Sequence, residues 1–269
     1  MIKRILKSAA DSLGYTIERK RPTAAVSASE PPVKPFKEFP HDFTLQEREI
    51  WCSVEHYTMT SKERVVSLIR AVQYLERYRI PGAFVECGVW RGGSMMAVAR
   101  TLLANGSIDR ELFLFDTFSG MPEAADADMD LFGRSGTALL AELRKLPPEG
   151  QAENNIVAHC PIEAVRANLI STGYPRDKLH FIEGAVESTI PRYAPERIGL
   201  LRLDTDWYES TRHELVHLFP RLSSHGILVI DDYGHWRGAR LAVDEFFEQN
   251  RETIFLNRID YTGRIAVRC

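Results

Sequence analysis

The sequence predicts an α/β fold in which helices cover both faces of an open, mostly parallel sheet. Short apolar runs of strand length alternate with helical patterns from residue 83 onwards. Two of these runs, 200–203 and 227–230, lead directly into aspartates, as buried parallel strands do where they reach a ligand crevice. An earlier segment, 83–116, has the order strand, glycine turn, helix, strand, acid, which is typical of a nucleotide-binding βαβ unit. We therefore expect a doubly wound sheet with its site at the carboxyl ends of the strands.

The composition is that of an ordinary globular protein. Of 269 residues, 44% are hydrophobic and 26% are charged, which is enough for one sizeable core. The formal net charge of −3 gives no indication of a nucleic-acid partner. No apolar run is long enough to span a membrane or to serve as a secretion signal. The four cysteines lie far apart without ligand spacing, so we expect reduced thiols in a cytoplasmic protein.

The N-terminal 40 residues differ from the rest of the chain. Residues 1–20 are basic and have apolar positions at helical spacing, which predicts a helix. Residues 21–40 are rich in Pro, Ala and Ser and are expected to form a flexible linker. Two roles for the helix remain open: packing on its own domain or on another subunit of a homo-oligomer, or docking on a membrane surface or partner. Residues 41–269 are expected to form one domain.

That domain is expected to contain two leading helices, alternating strands and helices, and a closing antiparallel hairpin. Thr60 or Ser61 is predicted to cap the second helix. The hairpin is predicted from apolar runs at 253–256 and 264–267, joined across 260–263. The predicted helices are 45–54, 61–78, 94–103, 162–172, 210–222 and 237–249, and the strands before the hairpin are 83–86, 112–116, 179–182, 198–203 and 227–230.

Residues 119–160 interrupt the alternation of strands and helices. The segment is acidic, carries Gly and Pro, and has helical character only at 137–146. A long irregular insertion inside a compact domain is usually functional. We expect this segment to be a lid over the site.

Four aspartates follow the two apolar strands at 200–203 and 227–230. Asp204, Asp206, Asp231 and Asp232 would repel one another in one crevice unless a positive charge lay between them. Mg²⁺ and Ca²⁺ prefer oxygen ligands, so the pattern predicts a metal site at Asp204, Asp231 and Asp232. The alternative for Asp231 and Asp232 is a capped turn after a strand.

The glycine turn after the first strand predicts a nucleoside site. Gly88, Gly92 and Gly93 would allow a close approach of the backbone to a ligand, but their spacing fits neither a dinucleotide site nor a P-loop. Asp116 stands where a carboxylate would accept both hydroxyls of a ribose, and Glu86 could take a cationic group. A nucleoside with amino-acid charges and no phosphate is S-adenosylmethionine. The alternative is a tight turn without a ligand.

The segment from His213 to His217 matches the zinc-protease motif H-E-x-x-H. We expect Leu215 and Leu218 to pack this helix against the sheet, which would leave both histidines on the flank, away from the strand ends. The motif is therefore interpreted as a polar helix surface.

Several separate motifs resemble the macrocin-type sugar O-methyltransferases, a family that includes enzymes of the macrocin, mycinamicin and novobiocin pathways. The resemblance covers about residues 59–247 and leaves out the first 40. It rests on Val85-Glu86-Cys87-Gly88-Val89-Trp90-Arg91-Gly92-Gly93-Ser94, on Phe115-Asp116-Thr117-Phe118-Ser119-Gly120-Met121-Pro122, on 163–169 and 171–175, on Leu203-Asp204-Thr205-Asp206-Trp207-Tyr208-Glu209-Ser210-Thr211, and on Asp231-Asp232-Tyr233-Gly234.

This resemblance implies a Rossmann-like class I methyltransferase fold with bound S-adenosylmethionine and one Mg²⁺. It makes Asp204, Asp231 and Asp232 the metal ligands. Some relatives use a histidine base near the position of Trp207, so the resemblance leaves Asp206 as the favoured base here, and His235 is expected to contact the acceptor. The implied cofactor-binding residues are Met59, Thr60, Glu86, Gly88, Trp90, Arg91, Gly93, Ser94, Asp116, Ser119, Gly184, Glu187 and Asp204.

The expected function is Mg²⁺-dependent methylation of a sugar hydroxyl on a small-molecule glycosyl acceptor. Asp204 and Asp206 are two residues apart, so in an extended chain both would point to the same side. Asp204 would then bind the metal while Asp206 takes the proton of the acceptor hydroxyl. Two alternatives remain open, namely the same fold acting on a catechol-like phenol and a non-catalytic protein that binds S-adenosylmethionine.

Overall fold

The computed structural model describes residues 39–146 and 158–269. The predicted basic helix at 1–20, residues 21–38 of the predicted linker and part of the predicted lid lie outside these ranges. No helix in the described part of the chain is both long and apolar enough to cross a membrane.

The described residues form a seven-stranded sheet in the order β3-β2-β1-β4-β5-β7-β6. The first five strands are parallel, and β7 is antiparallel to both β5 and β6. The predicted mostly parallel sheet with an antiparallel C-terminal hairpin is therefore confirmed. The strands are β1 (Ala83–Cys87), β2 (Leu112–Asp116), β3 (Leu179–Glu183), β4 (Ile198–Leu203), β5 (Leu222–Ile230), β6 (Asn257–Arg258) and β7 (Arg264–Val267).

Helices alternate with the parallel strands. Ser61 caps the second helix by accepting a hydrogen bond from the backbone N–H of Arg64. The described helices are α1 (Leu45–Val54), α2 (Lys62–Arg77), α3 (Gly93–Ala104), α4 (Gly136–Leu143), α5 (Ile162–Ser171), α6 (Val186–Thr189), α7 (Tyr208–Leu218) and α8 (Arg237–Asn250).

The two faces of the sheet have different partners. Successive side chains of a strand point to opposite faces. Leu201 and Leu203 of β4 belong to one core cluster with residues of α7 and α8, such as Leu215 and Val243. Arg202 lies between them in β4 and points to the other face, where it meets Thr60 just before α2. A charged residue in the middle of β4 thus faces away from the α7–α8 core.

Three predicted boundaries are wrong. β5 begins at the buried Leu222 instead of 227, because the polar, partly exposed residues 223–225 separate Leu222 from the apolar second half of the strand. α7 ends at Leu218 because Pro220 cannot continue a helix, and Phe219–Arg221 forms a 3₁₀ turn. Residues 253–256 form no strand: Ile254 and Leu256 pack on the core, and pairing with β7 begins only at Asn257.

The strand order also locates the site. From β1 the chain continues to β2 on one side, whereas β4 lies on the other side of β1. Such a reversal opens a crevice beyond the carboxyl ends of the two central strands. Asp204 follows β4, and its backbone N–H donates to the carbonyl of Cys87 at the end of β1, at 2.9 Å.

Candidate active site

A cavity of about 1240 Å³, counted with its open mouth, lies at the carboxyl ends of β1 and β4. It joins the glycine turn to the aspartate cluster. Three residues predicted to bind the cofactor, Glu86, Arg91 and Ser119, are not part of its lining. The other predicted cofactor residues line it, namely Met59, Thr60, Gly88, Trp90, Gly93, Ser94, Asp116, Gly184, Glu187 and Asp204.

Gly88 is required by a close approach of two strand ends. Its φ is +81°, and a Cβ at this position would lie 1.9 Å from the carbonyl oxygen of Asp204. No larger residue fits this backbone position without moving Asp204. The glycine thus allows the backbone of Asp204 to approach closely, whereas the sequence alone indicated a close approach to a ligand.

Gly88→Ala is expected to lower the free energy of unfolding by at least about 2 kcal/mol more than the matched change Gly106→Ala. Both glycines have positive φ, but nothing lies within 4 Å of a Cβ built at Gly106. Urea unfolding of both variants would separate the steric clash from the backbone strain. Equal losses in the two variants would contradict the close approach.

Gly93 and Asp116 also organise the turn. A Cβ at Gly93 would lie 2.4 Å from the carbonyl oxygen of Tyr57, so this glycine also makes room for protein. Asp116 Oδ2 accepts from the backbone N–H groups of Val89 and Trp90 at 2.6 and 3.1 Å, and Oδ1 accepts from that of Phe118 at 2.7 Å. The carboxylate therefore holds the turn, and its predicted contact with a ribose stays a prediction.

Asp204, Asp231 and Asp232 form a cluster beyond β4 and β5. Each offers one oxygen, and these oxygens all lie within 4.8 Å of one another. Asp231 and Asp232 are buried, whereas Asp204 is partly exposed to the cavity. The structure thus brings together the three predicted metal ligands.

Arg202 lies at the centre of these acids and was not predicted. Its Nη1 is 2.6 Å from Glu86 Oε1 and 2.7 Å from Asp204 Oδ2. Its Nη2 is 2.6 Å from Asp231 Oδ1. Glu86 and Arg202 are register partners on β1 and β4, so the ion pair follows directly from the strand pairing.

A second arginine, Arg64 of α2, holds the cluster from the hairpin side. Its Nη1 contacts the other carboxylate oxygen of Asp231, and its Nε is 3.0 Å from Asp260 Oδ2. Thr262 Oγ1 donates to the main-chain carbonyl of Asp231 at 2.7 Å. The closing hairpin thus fixes both the backbone and the side chain of Asp231.

The two arginines do not balance the acids around them. Asp206 and Asp232 belong to this group in addition to the four carboxylate partners of the arginines, namely Glu86, Asp204, Asp231 and Asp260, so the carboxyl groups outnumber the guanidinium groups. Burial raises the pKa of Glu86 to about 8, against the lowering effect of Arg202. Burial and the charge of Asp204 raise the pKa of Asp232 to about 7. A cluster with this excess of acidic oxygens fits a hard divalent cation.

Asp206 is not in extended chain, so the predicted geometry for Asp204 and Asp206 is wrong. Its φ is +65°, and the strand has already ended at Leu203. The backbone N–H of Asp206 donates to Asp232 Oδ2 at 3.1 Å. Burial and the neighbouring Asp232 raise the pKa of Asp206 well above its usual range. The turn still places Asp206 in the cavity lining beside Asp204 and Asp232.

Aromatic residues form the wall opposite the glycine turn. His235 lines the cavity, and its Nδ1 is 3.5 Å from the hydroxyl of Tyr261. Burial lowers the pKa of His235, which favours the neutral imidazole at pH 7. Trp236 packs edge-on against Trp207, with ring centroids 4.7 Å apart. His235 thus lines the cavity and Trp207 supports this wall, and the predicted contact of His235 with an acceptor stays a prediction.

The described part of the predicted lid, 119–146, is fastened to this wall. Trp207 Nε1 donates to the carbonyl of Pro122 at 3.2 Å. The buried carboxylate of Asp128 accepts from the backbone N–H of Tyr208, at the start of α7, at 2.8 Å. Leu140 of α4 packs with Trp207 and Trp236 in one apolar cluster. The segment therefore contributes Met121 and Pro122 to the cavity lining.

The H-E-x-x-H segment is not a metal site in this arrangement. His213 Nε2 lies 3.0 Å from the carbonyl oxygen of Ile190, and His213 packs against His217 with ring centroids 4.4 Å apart. Leu215 and Leu218 face the core, as predicted. Glu214 is fully buried, so the interpretation of the motif as a polar surface is wrong at this residue.

Two signals in the sequence pointed to residues that were missed. Arg202 interrupts an otherwise apolar strand, and a charge at such a position needs a buried partner. Glu214 lies two residues after Arg212 and one before Leu215 on the same amphipathic helix. Its angular position around the helix axis was therefore the only signal that its side chain would be buried. Arg64 carries no comparable signal, because its partners lie more than 160 residues away.

Comparison with known proteins agrees with this architecture. The sequence pattern of the Macrocin-O-methyltransferase (TylF) family matches residues 33–267. A relative from Streptomyces olivaceus, 8-demethyl-8-(2,3-dimethoxy-alpha-L-rhamnosyl)-tetracenomycin-C 4'-O-methyltransferase, is 38% identical over 79% of this chain and 76% of its own length. Mycinamicin III 3''-O-methyltransferase from Micromonospora griseorubida is 29% identical over 75% of this chain and 78% of its own.

Structural comparison gives the same result. The solved structure of the O-methyltransferase NovP has a TM-score of 0.67 and 29% sequence identity, over 79% of this chain and 82% of that one. The predicted class I methyltransferase fold is confirmed, and so is the resemblance on which it was partly based. This chain therefore belongs to the Macrocin-O-methyltransferase (TylF) family.

Proposed function

We propose that this enzyme transfers a methyl group from S-adenosylmethionine to a sugar hydroxyl of a small-molecule glycoside, with Mg²⁺ bound at Asp204, Asp231 and Asp232. The observation that carries the proposal is a single cavity that joins the glycine turn to the three clustered aspartates. A donor site and an oxygen-rich cation site in one cavity suit transfer to a hydroxyl group.

Unpaired polar atoms support binding of the donor beside the glycine turn. The indole Nε1 of Trp90 is buried and has no hydrogen-bond partner within the described residues. The Oε2 atom of Glu86 is also buried and unpaired within the described residues, but it lies behind the cavity wall. A nucleoside offers a hydrogen-bond acceptor for the indole N–H of Trp90. S-adenosylmethionine supplies the methyl group from its sulfonium when it is bound.

The aspartate cluster supports Mg²⁺ through its geometry and its charge. Mg²⁺ binds oxygen at about 2.0–2.1 Å, so its ligand oxygens lie about 3–4 Å apart. The three oxygens need only close in slightly from their spread of up to 4.8 Å. When bound, the ion lowers the pKa of a coordinated hydroxyl and fixes its orientation. Arg202 and Arg64 keep Asp231 in place for this role.

Asp206 is proposed to take the proton from the acceptor oxygen as the methyl group arrives. It lines the cavity between Asp204 and Asp232. Its raised pKa makes its carboxylate a stronger base than an ordinary aspartate. His235 and Tyr261, on the aromatic wall, are proposed to orient the sugar ring.

Asp206→Asn is expected to lower kcat by about 10²-fold, because the variant keeps the shape of the turn but cannot accept the proton. The affinity for S-adenosylmethionine should stay within about threefold, since binding of the donor does not require this proton transfer. Steady-state kinetics and calorimetry measure the two quantities. An unchanged kcat would exclude Asp206 as the base.

An acceptor panel with methyl-labelled S-adenosylmethionine tests the proposed function. The named activities of the relatives support a glycosidic acceptor: one methylates the 4' position of a rhamnosyl tetracenomycin and another acts on mycinamicin III. We expect label on rhamnosyl and related glycosides and none on the aglycones. Label on catechols alone would favour a phenol methyltransferase. Donor binding without transfer to any hydroxylated acceptor would favour a non-catalytic protein.

We also propose that residues 1–40 form an arm outside a methyltransferase domain at 41–269, and that this arm links the subunits of a cytoplasmic homo-oligomer. The family match begins only at residue 33, and one compact contact unit extends from Pro40 to Cys269. A chain that starts at residue 41 should therefore fold and form a smaller assembly than the full chain. Light scattering on both proteins measures this, and equal masses would contradict the proposed role of the arm.

A further inference from the structure

Glu214 of α7 is a buried acid without a role in the chemistry described above. Its side chain is fully buried and is not part of the cavity lining. Oε1 accepts a hydrogen bond from Thr205 Oγ1 at 3.0 Å, whereas Oε2 has no partner within the described residues. A leucine would fill such a site without burying a polar group, so the acid is costly here unless it has a use.

Thr205, which donates this hydrogen bond to Glu214, lies inside the turn that carries the proposed ligand and base. Thr205 stands between Asp204 and Asp206, and its main-chain carbonyl accepts from Ser210 Oγ at 3.3 Å. The turn is strained, because Asp206 has a φ of +65°. Such a conformation persists only when its surroundings hold it in place. Glu214 contacts this turn through Thr205 and is not itself exposed to the cavity.

Glu214 also lies close to the end of β1. Its charge raises the pKa of the Cys87 thiol, second only to the effect of burial. Cys87 immediately precedes Gly88, and the carbonyl of Cys87 accepts from the backbone N–H of Asp204 at 2.9 Å. The buried carboxyl group of Glu214 is therefore close both to the end of β1, where the glycine turn begins, and to the turn that carries Asp204 and Asp206.

We propose that Glu214 is a positioning residue that, through its hydrogen bond with Thr205, fixes the Asp204–Asp206 turn against the end of β1. This inference rests on the proposed function, since it assigns Glu214 to the same site. It accounts for an acid on the buried face of α7. It also gives the central glutamate of the H-E-x-x-H segment a role that needs no zinc.

Four variants separate this role from a general contribution to packing. Glu214→Gln keeps an oxygen that can accept from Thr205, whereas Glu214→Leu fills the space without an acceptor. Thr205→Val removes the donor from the other side. Leu215→Val is the matched control, because Leu215 is fully buried on the next position of the same helix and does not contact Thr205 through a hydrogen bond.

The first readout is hydrogen exchange in full-length protein, which does not depend on activity. In Glu214→Leu and Thr205→Val, the peptide covering 203–210 should exchange at least about threefold faster, because the amide of Trp207 donates to the carbonyl of Thr205 within this turn and the amide of Asp206 donates to Asp232. Glu214→Gln and Leu215→Val should leave this peptide unchanged. Unchanged exchange in both Glu214→Leu and Thr205→Val would overturn the proposal.

The second readout is the split between kcat and KM. Glu214→Leu and Thr205→Val should each lower kcat by about tenfold or more, with KM and donor affinity within about threefold, because a displaced turn misplaces the base. The double variant should be no slower than the slower single variant, since both remove one hydrogen bond. Glu214→Gln should stay within about threefold of the wild type. Additive losses in the double variant, or a loss in Glu214→Gln equal to that in Glu214→Leu, would contradict the proposal.

The two readouts distinguish failure of this inference from failure of the proposed function. If wild-type protein transfers no methyl group to any glycoside, the proposed function is wrong, and the exchange data still decide whether Glu214 holds the turn. If Glu214→Leu does not fold, Thr205→Val carries the same test, because it removes the same hydrogen bond with a side chain of similar size.

Discussion

Asp204→Ala is expected to lower kcat for methyl transfer by about 10³-fold while the protein remains folded. The variant removes one of three proposed metal ligands and the carboxylate that faces the cavity. The fold should persist, because Arg202 keeps its ion pairs with Glu86 and Asp231. Kinetics at saturating Mg²⁺ and calorimetric titration with Mg²⁺ alone measure the loss of rate and of metal affinity.

Asp109→Ala is the matched control for this prediction. Asp109 is an exposed aspartate just before β2, at the opposite edge of the sheet from the cavity. Its removal should leave both kcat and Mg²⁺ affinity within about twofold, since exposed charges distant from a site contribute little. An Asp204→Ala variant as active as Asp109→Ala would rule out Asp204 as a metal ligand.

Arg202→Met is expected to lower the free energy of unfolding by about 3–5 kcal/mol, because removing one partner of a buried ion pair leaves the others uncompensated. The side chain of Arg202 is 4% exposed and contacts Glu86 and Asp231, which are 1% and 4% exposed. Methionine has a similar length but cannot donate to any of these carboxylates. Urea unfolding, monitored by circular dichroism, measures the change.

Arg240→Met provides the comparison for Arg202. Arg240 forms an exposed pair with Asp244 one helical turn away, at 3.5 Å, with 63% of the arginine side chain exposed. Exposed pairs of this kind contribute about 0–1 kcal/mol, so this variant should unfold almost as the wild type does. Comparable stability of the two variants would show that the acids around Arg202 do not depend on it.

Much of the fold could be predicted because its signals are local. The strands 112–116 and 198–203 and the helix 45–54 were predicted to the residue, each from an apolar pattern bounded by polar residues or a turn. The errors arose where tertiary packing, and not the local sequence pattern, determined the secondary structure. The apolar residues at 254 and 256 pack on the core without strand pairing, and β5 begins early at Leu222, which pairs with Ile198 before a register shift.

The residues of the site also differ in whether the sequence could predict them. The aspartates after β4 and β5 could be predicted to meet, because parallel strands deliver their carboxyl ends to one edge. The ion pairs of Arg202 could not, since they join residues that are 116 and 29 positions apart. The conformation of Asp206 was missed because a positive φ at a non-glycine residue leaves no mark in the sequence. Glu214 was missed because the H-E-x-x-H segment was interpreted as a polar helix surface.

The dependence of the initial rate on free Mg²⁺ tests the central claim most directly. Wild-type protein would be stripped with a chelator and assayed with labelled S-adenosylmethionine and a rhamnosyl glycoside, while Mg²⁺ is added back in steps. The proposed site predicts a rate at least about 10²-fold lower in chelator and full recovery with Mg²⁺. A full rate in chelator would contradict a metal site at Asp204, Asp231 and Asp232.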